Sequence, residues 1–429
     1  MATEKLAIDG GAPVRTKPFG SMWVFGEEER RQLMEVMDRA PKEWRGRFKV
    51  NEFANGFAER HGVKYAIAAD SGTGAVHTAV ATINPNPGDE IVTTPISDVG
   101  TVLGIIAQNA IPVFADMDPD TFNIDPADIE RKITGRTRAI LIVHLFGNPC
   151  DMDAIMDIAR RHNLPVIEDA SQAHLAEYQG RLTGTIGDIA AFSLGGKTLT
   201  TDQGGMVITD DPELARRAVG FTRKGSEMDE QMHEMLGPTS FRWGSSRGYA
   251  FLGTHSPMTD LEAAVGLAQL ARWDEATEMR RKVAAIIDEA LYELPGIHIQ
   301  KVAPGNKSSY YVYGYRIDEE EAGVSTEDFA KAVQAEGIPD CHGAYIRGMP
   351  LYKYPLFAEE HTYGESRYPF VDEQGGRRID YKNLHLPNIE RVLPTTGTVL
   401  FRNTYTEEDA HDIATAMRKV ALHYSAAGG

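Results

Sequence analysis

The stretch AAFSLGGKTLTTDQGGMV, residues 190–207, decides how the chain is read. An apolar run at 189–194 breaks into Gly195 and Gly196, presents a single Lys197, and returns through a polar turn to Gly204, Gly205 and a second apolar strand at 206–209. That pattern sets a lysine at the tip of a buried β-element. Most lysines between glycines are solvated loop residues. In a desolvated pocket, however, an amine loses affinity for a proton and becomes a nucleophile that forms a Schiff base with an aldehyde. The residues upstream favour the second reading.

Working outward, short apolar strands at 65–69, 90–94, 111–115, 139–145 and 165–168 alternate with helical patterns at 75–83, 100–108, 126–132 and 152–162. Strands separated by helices of that length predict a mainly parallel sheet covered on both faces. Before them, Gly10, Gly11, Pro13 and Pro18 punctuate an extended arm, and helices are expected at 27–37 and 51–60. After the lysine, a helix is expected at 211–219, then an irregular segment at 220–253 whose length is more often functional or interfacial than decorative. Helices at 258–273 and 275–291 follow, the second carrying the chain into another domain. Strands within 308–317, a helix opened by the capping box Ser325 to Asp328, a Pro- and Tyr-rich loop at 348–357 and a last helix opened by Thr406 complete the chain. The expected division is an N-terminal arm (1–25), a three-layer α/β large domain (26–275) and a smaller α+β C-terminal domain (276–429).

The charge excludes some function classes. Among 429 residues, 62 are acidic and 44 basic, giving a formal charge of -18. That field repels phosphate backbones and anionic lipid, so neither a nucleic acid nor a membrane is an expected partner. Cys150 and Cys341 are the only cysteines. They are too few for a disulfide framework and lack metal-type spacing, so no metal is expected. The start MATEKLAIDGG has no basic-then-apolar signal pattern, and no apolar run approaches the ~20 residues that span a bilayer. A cytoplasmic protein is expected.

In open α/β sheets ligands collect at the carboxyl ends of strands, so the residues at the strand ends carry the functional signal. The first offers Ser71, Gly72 and Thr73 at a helix start, where free backbone N–H groups and the helix dipole favour an anion. Taken alone, Ser or Thr there is more often an ordinary cap. The strand in VIEDASQAH ends in Glu168 and Asp169, one of which should face the ligand side. A buried carboxylate needs a cationic partner. In a pyridoxal phosphate enzyme that partner is the ring nitrogen, kept protonated so that the ring acts as an electron sink. A carboxylate capping the next helix or paired with an arginine fits the motif equally well. An anion cradle, a buried acid and a glycine-flanked lysine, in that order, are far more specific together than any one alone.

These pieces resemble the DegT/DnrJ/EryC1/StrS aminotransferases, fold-type I enzymes that use pyridoxal 5'-phosphate to aminate keto-sugars and keto-cyclitols. The matching stretches are LAIDGGAPVRTKPF, DSGTGAVHTAV, AIPVFADMDPDTFNIDP, VHLFGNPCDMDAI, VIEDASQAH, FSLGGKTLTTDQGG, MTDLEAAVGLAQL and YTEEDAHDIATAMRKV. The resemblance implies that Lys197 is the Schiff-base lysine and proton shuttle, Asp169 the partner of the ring nitrogen, and Gln172 the contact to the ring hydroxyl. It also implies that Gly72, Thr73 and Ser193, with Ser71 beside them, hold the cofactor phosphate. Related sugar dehydratases carry His where this chain has Lys197, which favours transamination, with glutamate or glutamine as donor. The chain departs from the family in three places. Ser193 and Lys197 are one residue closer than usual. Asp98 stands where an aromatic residue commonly covers the ring. GTHSP replaces a GYNYR-like turn, so His255 takes the place of an Asn that crosses a dimer interface to the phosphate. A homodimer is therefore expected. An arginine should bind the donor carboxylate, with Arg242, Arg247, Arg347 and Arg402 as candidates. Elimination or oxidation on the same cofactor, and a catalytically silent binding protein on the same fold, are the competing function classes.

Overall fold

The computed structural model describes residues 4–43, 47–226, 248–372 and 378–427. Most of the expected irregular segment, with Arg242 and Arg247, lies outside the described residues. The main sheet has seven strands: β1 (Tyr65–Ala69), β2 (Glu90–Thr93), β3 (Ile111–Phe114), β4 (Thr137–Val143), β5 (Val166–Asp169), β8 (Ile189–Ser193) and β9 (Gly205–Thr209), with the hairpin β6 (Glu177–Tyr178) and β7 (Arg181–Leu182) between β5 and β8. Their spatial order is β1-β9-β8-β5-β4-β2-β3. Only β9 runs against its neighbours in this sheet, pairing antiparallel with both β1 and β8. The other pairs are parallel. The strands are buried on both faces and therefore read as apolar runs rather than alternating ones.

The helices around this sheet are α1 (Glu27–Glu43), α2 (Phe48–His61), α3 (Gly72–Ile83), α4 (Gly100–Ala107), α5 (Pro126–Lys132), α6 (Met152–His162), α7 (Pro212–Phe221) and α8 (Asp260–Leu270). Their starts follow from local chemistry. Ser71, Asp125, Asp151 and Asp211 each accept a backbone N–H at a helix start, and Thr259 with Glu262 forms a capping box. Side chains of α3, α4 and α7 pack with Ile67, Leu141, Ile167 and Val207 on one face of the sheet. Those of α2 and α8 pack with Ala68, Ala190, Phe192 and Ile208 on the other. The three-layer α/β domain expected from the alternation is present.

After α9 (Trp273–Leu291) comes a four-stranded antiparallel sheet in the order β10-β11-β13-β12, formed by β10 (Ile297–Ile299), β11 (Val312–Ile317), β12 (Cys341–His342) and β13 (Thr396–Leu400). It packs against α9, α10 (Thr326–Ala335) and α11 (Glu407–Ala427) in a second core. Strand β13, paired with both β11 and β12, was not expected. Its TGTVL carries Thr and Gly behind Pro394, which mutes the apolar signal. The chain beyond 276 is also divided between the two cores. Leu351, Tyr352, Phe357, Tyr381 and Ile389 join the core of the main sheet. There Phe357 and Tyr381 stack edge-on against Phe114 of β3, and the Tyr381 hydroxyl donates to the Pro112 carbonyl at 2.7 Å. This return segment covers the β3 edge, which otherwise offers unpaired backbone groups.

The N-terminal arm is pinned across the molecule. Buried Arg15 pairs with Asp409 at 2.8 Å and Asp412 at 2.6 Å of α11, and Asn403 N–H donates to the Met22 carbonyl at 2.9 Å. Among the described residues no helix is long and apolar enough to cross a membrane.

Burial in this fold couples stability to pH through His61. Its ring stacks on Phe57 at 4.5 Å, its Nδ1–H donates to the Phe57 carbonyl at 2.9 Å, and its Nε2 has no partner among the described residues. Burial pushes its pKa down to about 4. The unfolded chain protonates this imidazole near its ordinary value while the folded chain does not. The stabilising difference is therefore complete above about pH 6.5 and is lost as pH falls toward 4, an effect of roughly 3 kcal/mol. Thermal unfolding measured from pH 7 to 4 should show a midpoint that falls more steeply in the wild type than in His61→Phe; equal slopes would refute the assignment.

Candidate active site

A cavity of about 550 Å³ opens at the carboxyl ends of β1, β4, β5 and β8. Ser71, Gly72, Thr73 and Asp98 line one side, and Asp169, Gln172, Ser193 and Lys197 the other. Of the residues singled out by sequence as cofactor contacts, His255 alone does not line it. It is exposed, bridged to Arg223, on the segment just before α8. Burial, Lys224 and Arg223 hold its pKa below the ordinary value, so it is a neutral hydrogen-bonding group near pH 7.

The anion cradle follows from one close approach. A Cβ on Gly72 would lie 2.3 Å from Ser193 Cβ and 2.6 Å from its Oγ, so only glycine lets the start of α3 meet the end of β8. The first N–H groups of α3 have no intrahelical acceptors, which suits an anion there, although that of Gly74 is taken by the cap. Ser71 lines the cavity and takes the ordinary capping role. Its hydroxyl accepts from Gly74 N–H at 3.0 Å and donates to Asp70 at 3.0 Å, so it is already spent as the helix cap. Exposed Thr73 lines the cavity.

The successive acids of β5 point to opposite faces, as strand geometry requires. Glu168 turns away from the cavity and accepts from His144 Nε2 (2.8 Å) and the N–H groups of Gly184 (2.7 Å), Ile186 (2.7 Å) and Gly187 (2.5 Å). Burial alone would raise its pKa, but His144 and these amides hold it below the ordinary value. Asp169 faces the cavity. It accepts the Thr101 hydroxyl at 2.7 Å and Ser171 N–H at 3.1 Å, two contacts that sequence reasoning missed. Gln172 accepts Phe146 N–H through Oε1 at 2.8 Å and lines the cavity.

Lys197 sits half-buried on its loop with Nζ 4.0 Å from the centroid of the Tyr311 ring, a cation–π contact. Gly196 before it has φ +64 and lies against Trp23 of the arm, so Trp23 and Phe25 become cavity walls. His174 spans the loop: its Nε2–H donates to the Ser193 carbonyl at 2.9 Å and its Nδ1 accepts Leu199 N–H at 3.5 Å. Burial, with Lys197 nearby, pushes the His174 pKa down to about 3, so the clamp is a neutral ring. Asp98 accepts Gly100 N–H at 2.8 Å ahead of α4 and stays exposed at the cavity. Of the arginine candidates, Arg402 is committed to a bidentate pair with Asp340 (2.6 and 2.8 Å) and to the Gly20 carbonyl, which removes it from the donor site. Arg347 is exposed on the turn that carries Tyr345, a hydrogen-bond partner of Gln172.

The family model of the DegT/DnrJ/EryC1/StrS aminotransferases matches residues 25–389. The chain belongs to this aminotransferase family. The L-glutamine:2-deoxy-scyllo-inosose aminotransferase of Streptoalloteichus tenebrarius is 34% identical, over 98% of each chain. The GDP-perosamine synthase of Caulobacter vibrioides is 39% identical over 76% of this chain and 84% of its own. The solved structure of the aminotransferase from Psychrobacter cryohalolentis has a TM-score of 0.80 at 27% identity, covering 95% of this chain and 99% of that one. As a member of the family the chain is a pyridoxal 5'-phosphate-dependent aminotransferase. The residues present fit that group: an anion cradle without side-chain obstruction at Gly72, a buried carboxylate with lone pairs to spare, and an amine, all on the walls of one cavity.

The cradle makes a sharp prediction. Gly72→Ala should force α3 and Ser193 apart, costing about 1–3 kcal/mol of stability, and should weaken cofactor binding about tenfold or more. Absorbance titration of the apoenzyme with pyridoxal 5'-phosphate and thermal melts measure both, and an unchanged affinity would remove Gly72 and Ser193 from the cradle.

Proposed function

We propose that the enzyme moves the amino group of glutamine or glutamate onto the ketone of a sugar or cyclitol. One observation carries the reading: Lys197, Asp169 and the Gly72–Thr73 helix start share the walls of a single cavity. Relatives named for transamination of a keto-cyclitol and for perosamine synthesis support the substrate class. When bound, pyridoxal 5'-phosphate supplies an aldehyde that takes up the amino group and a ring that withdraws electrons.

The chain's own residues have separate tasks. Lys197 would hold the cofactor aldehyde through its Nζ, and the same amine would take up and return a proton there. Tyr311 beneath its Nζ limits where that amine can swing. Asp169 would meet the ring nitrogen, Gln172 would meet the ring hydroxyl, and Gly72, Thr73 and Ser193 would hold the phosphate. Trp23 and Phe25 of the arm narrow the mouth and exclude water. Arg347 is the remaining described candidate for the donor carboxylate. Asp98, in place of an aromatic cover, offers a carboxylate acceptor to substrate hydroxyl groups.

Borohydride reduction of the yellow holoenzyme should bleach its absorbance and label the peptide containing Lys197. Lys197→Ala should carry no label and lose roughly a thousandfold or more in activity. Glutamate incubated with enzyme and a keto-cyclitol should yield 2-oxoglutarate in step with amine. Turnover of the ketone without 2-oxoglutarate would favour elimination or oxidation instead, and full activity in Lys197→Ala would sink the mechanism.

We also infer that the enzyme works as a homodimer in the cytoplasm. Tyr249 and Leu252 are 66% and 91% exposed just before His255, an apolar patch of the kind that a second copy covers. Cys150 and Cys341 are both free and buried, which suits a reducing compartment. Sedimentation should give twice the chain mass, and Leu252→Asp should shift the species toward an inactive monomer. A fully active monomer would end the dimer proposal.

A further inference from the structure

We propose that Thr101, itself driven by Ser97, is the positioning residue that fixes the rotation of the Asp169 carboxylate. It thereby governs where the proton of the cofactor ring nitrogen resides. The proposal rests on the reading that Asp169 meets that nitrogen.

Three hydrogen bonds carry it. Thr101, the second residue of α4 and 2% exposed, has its Oγ1 2.7 Å from Asp169 Oδ2. Asp169 Oδ1 accepts Ser171 N–H at 3.1 Å. The Ser97 hydroxyl, 3% exposed, lies 2.8 Å from Thr101 Oγ1. A hydroxyl has one hydrogen. Since Thr101 spends its hydrogen on Asp169, the hydrogen between Ser97 and Thr101 comes from Ser97. The result is a directed relay, Ser97 to Thr101 to Asp169, with every donor aimed at the carboxylate. Such chains polarise along their length.

Geometry gives the relay its purpose. Asp169 is anchored on β5 and Thr101 on α4, so the hydroxyl reaches the carboxylate from a different element than the one that carries it. With one donor on each oxygen the carboxylate plane cannot turn, and its remaining lone pairs face the cavity. The N-terminal end of α4 adds partial positive charge on the same side. Without the hydroxyl, Asp169 is held only through Ser171 N–H and is free to rotate, so a ring N–H opposite it loses its fixed acceptor. This is not a packing role. Valine has nearly the shape of threonine and would fill the same space, but it has no hydrogen to give.

The test uses holoenzyme loaded with pyridoxal 5'-phosphate labelled with ¹⁵N in the ring, read by ¹⁵N NMR alongside steady-state kinetics. Wild type should show a protonated ring nitrogen. Thr101→Val should move the resonance toward the unprotonated position and lower kcat about ten- to a hundredfold, the range for one hydrogen bond to a charged group. The donor KM should move by less than about threefold. Thr101→Ser should restore both readouts, and Ser97→Ala should shift the resonance the same way by a smaller amount. If Thr101→Val keeps the wild-type resonance and kcat, or if Thr101→Ser behaves like Thr101→Val, the proposal is overturned. Should Thr101→Val fail to retain cofactor, Ser97→Ala, one bond further out, decides the matter by the same comparison. Asp169→Asn separates the two readings: if it keeps the protonated resonance, the pairing of Asp169 with the ring is wrong. If it loses that resonance while Thr101→Val does not, only the role of Thr101 is wrong.

Discussion

A carboxylate taken out of water must be met donor by donor, and strand β5 buries two in succession. Because neighbouring side chains of a strand leave on opposite faces, Glu168 and Asp169 cannot share donors. The fold therefore builds two separate environments. Glu168 is saturated by His144 and three amides of the 184–187 turn, and Cys150 N–H in turn donates to His144 Nδ1 at 3.0 Å, which fixes the ring so that Nε2 carries the hydrogen. That side of the strand is closed and inert. Among the described residues Asp169 receives two donors, and it keeps capacity toward the cavity. The two acids thus differ in how many of their lone pairs are satisfied.

The lysine loop depends on that strand in its turn. His174, five residues beyond Asp169, reaches across to both ends of the segment that carries Lys197. From the other domain Asn403 donates to the Thr198 carbonyl at 2.8 Å. Buried Arg280 gathers Asn403 with the carbonyls of Tyr310, Tyr311 and Phe401. Burial lowers the Arg280 pKa to about 10, which still leaves the guanidinium charged at neutral pH. Three carbonyls and one amide oxygen stand in for the water it lost. The position of Tyr311 under the lysine is therefore set by a cation in the second core. The two cores meet at Lys197, and a shift of one against the other would be felt there first.

Local chemistry made much of the chain legible before its coordinates. The helices Pro126–Lys132 and Met152–His162 and the strand Tyr65–Ala69 lie where capping residues and apolar periodicity put them. The glycine at 72 and the lysine at 197 announced themselves as unusual residues at strand ends. What stayed hidden shares one cause. Thr101, Tyr311, Trp23 and His174 are ordinary residue types in their own sequence neighbourhoods, and their importance comes from what lies opposite them in space. Strand β13 was missed because pairing on both sides, rather than its TGTVL composition, makes it a strand. The Ser71 hydroxyl takes the ordinary capping role, engaged by Gly74 N–H and Asp70.

By itself the sequence determined the order of elements, the three-layer sheet, and the three pieces of chemistry at its carboxyl edge, because periodicity, caps and glycine requirements act over a few residues. Only the tertiary structure decided which hydroxyl supports Asp169, and that an N-terminal arm and a distant arginine help to build the cavity. Those outcomes depend on register between strands and on contacts between residues up to hundreds of positions apart, and no local pattern encodes such distances.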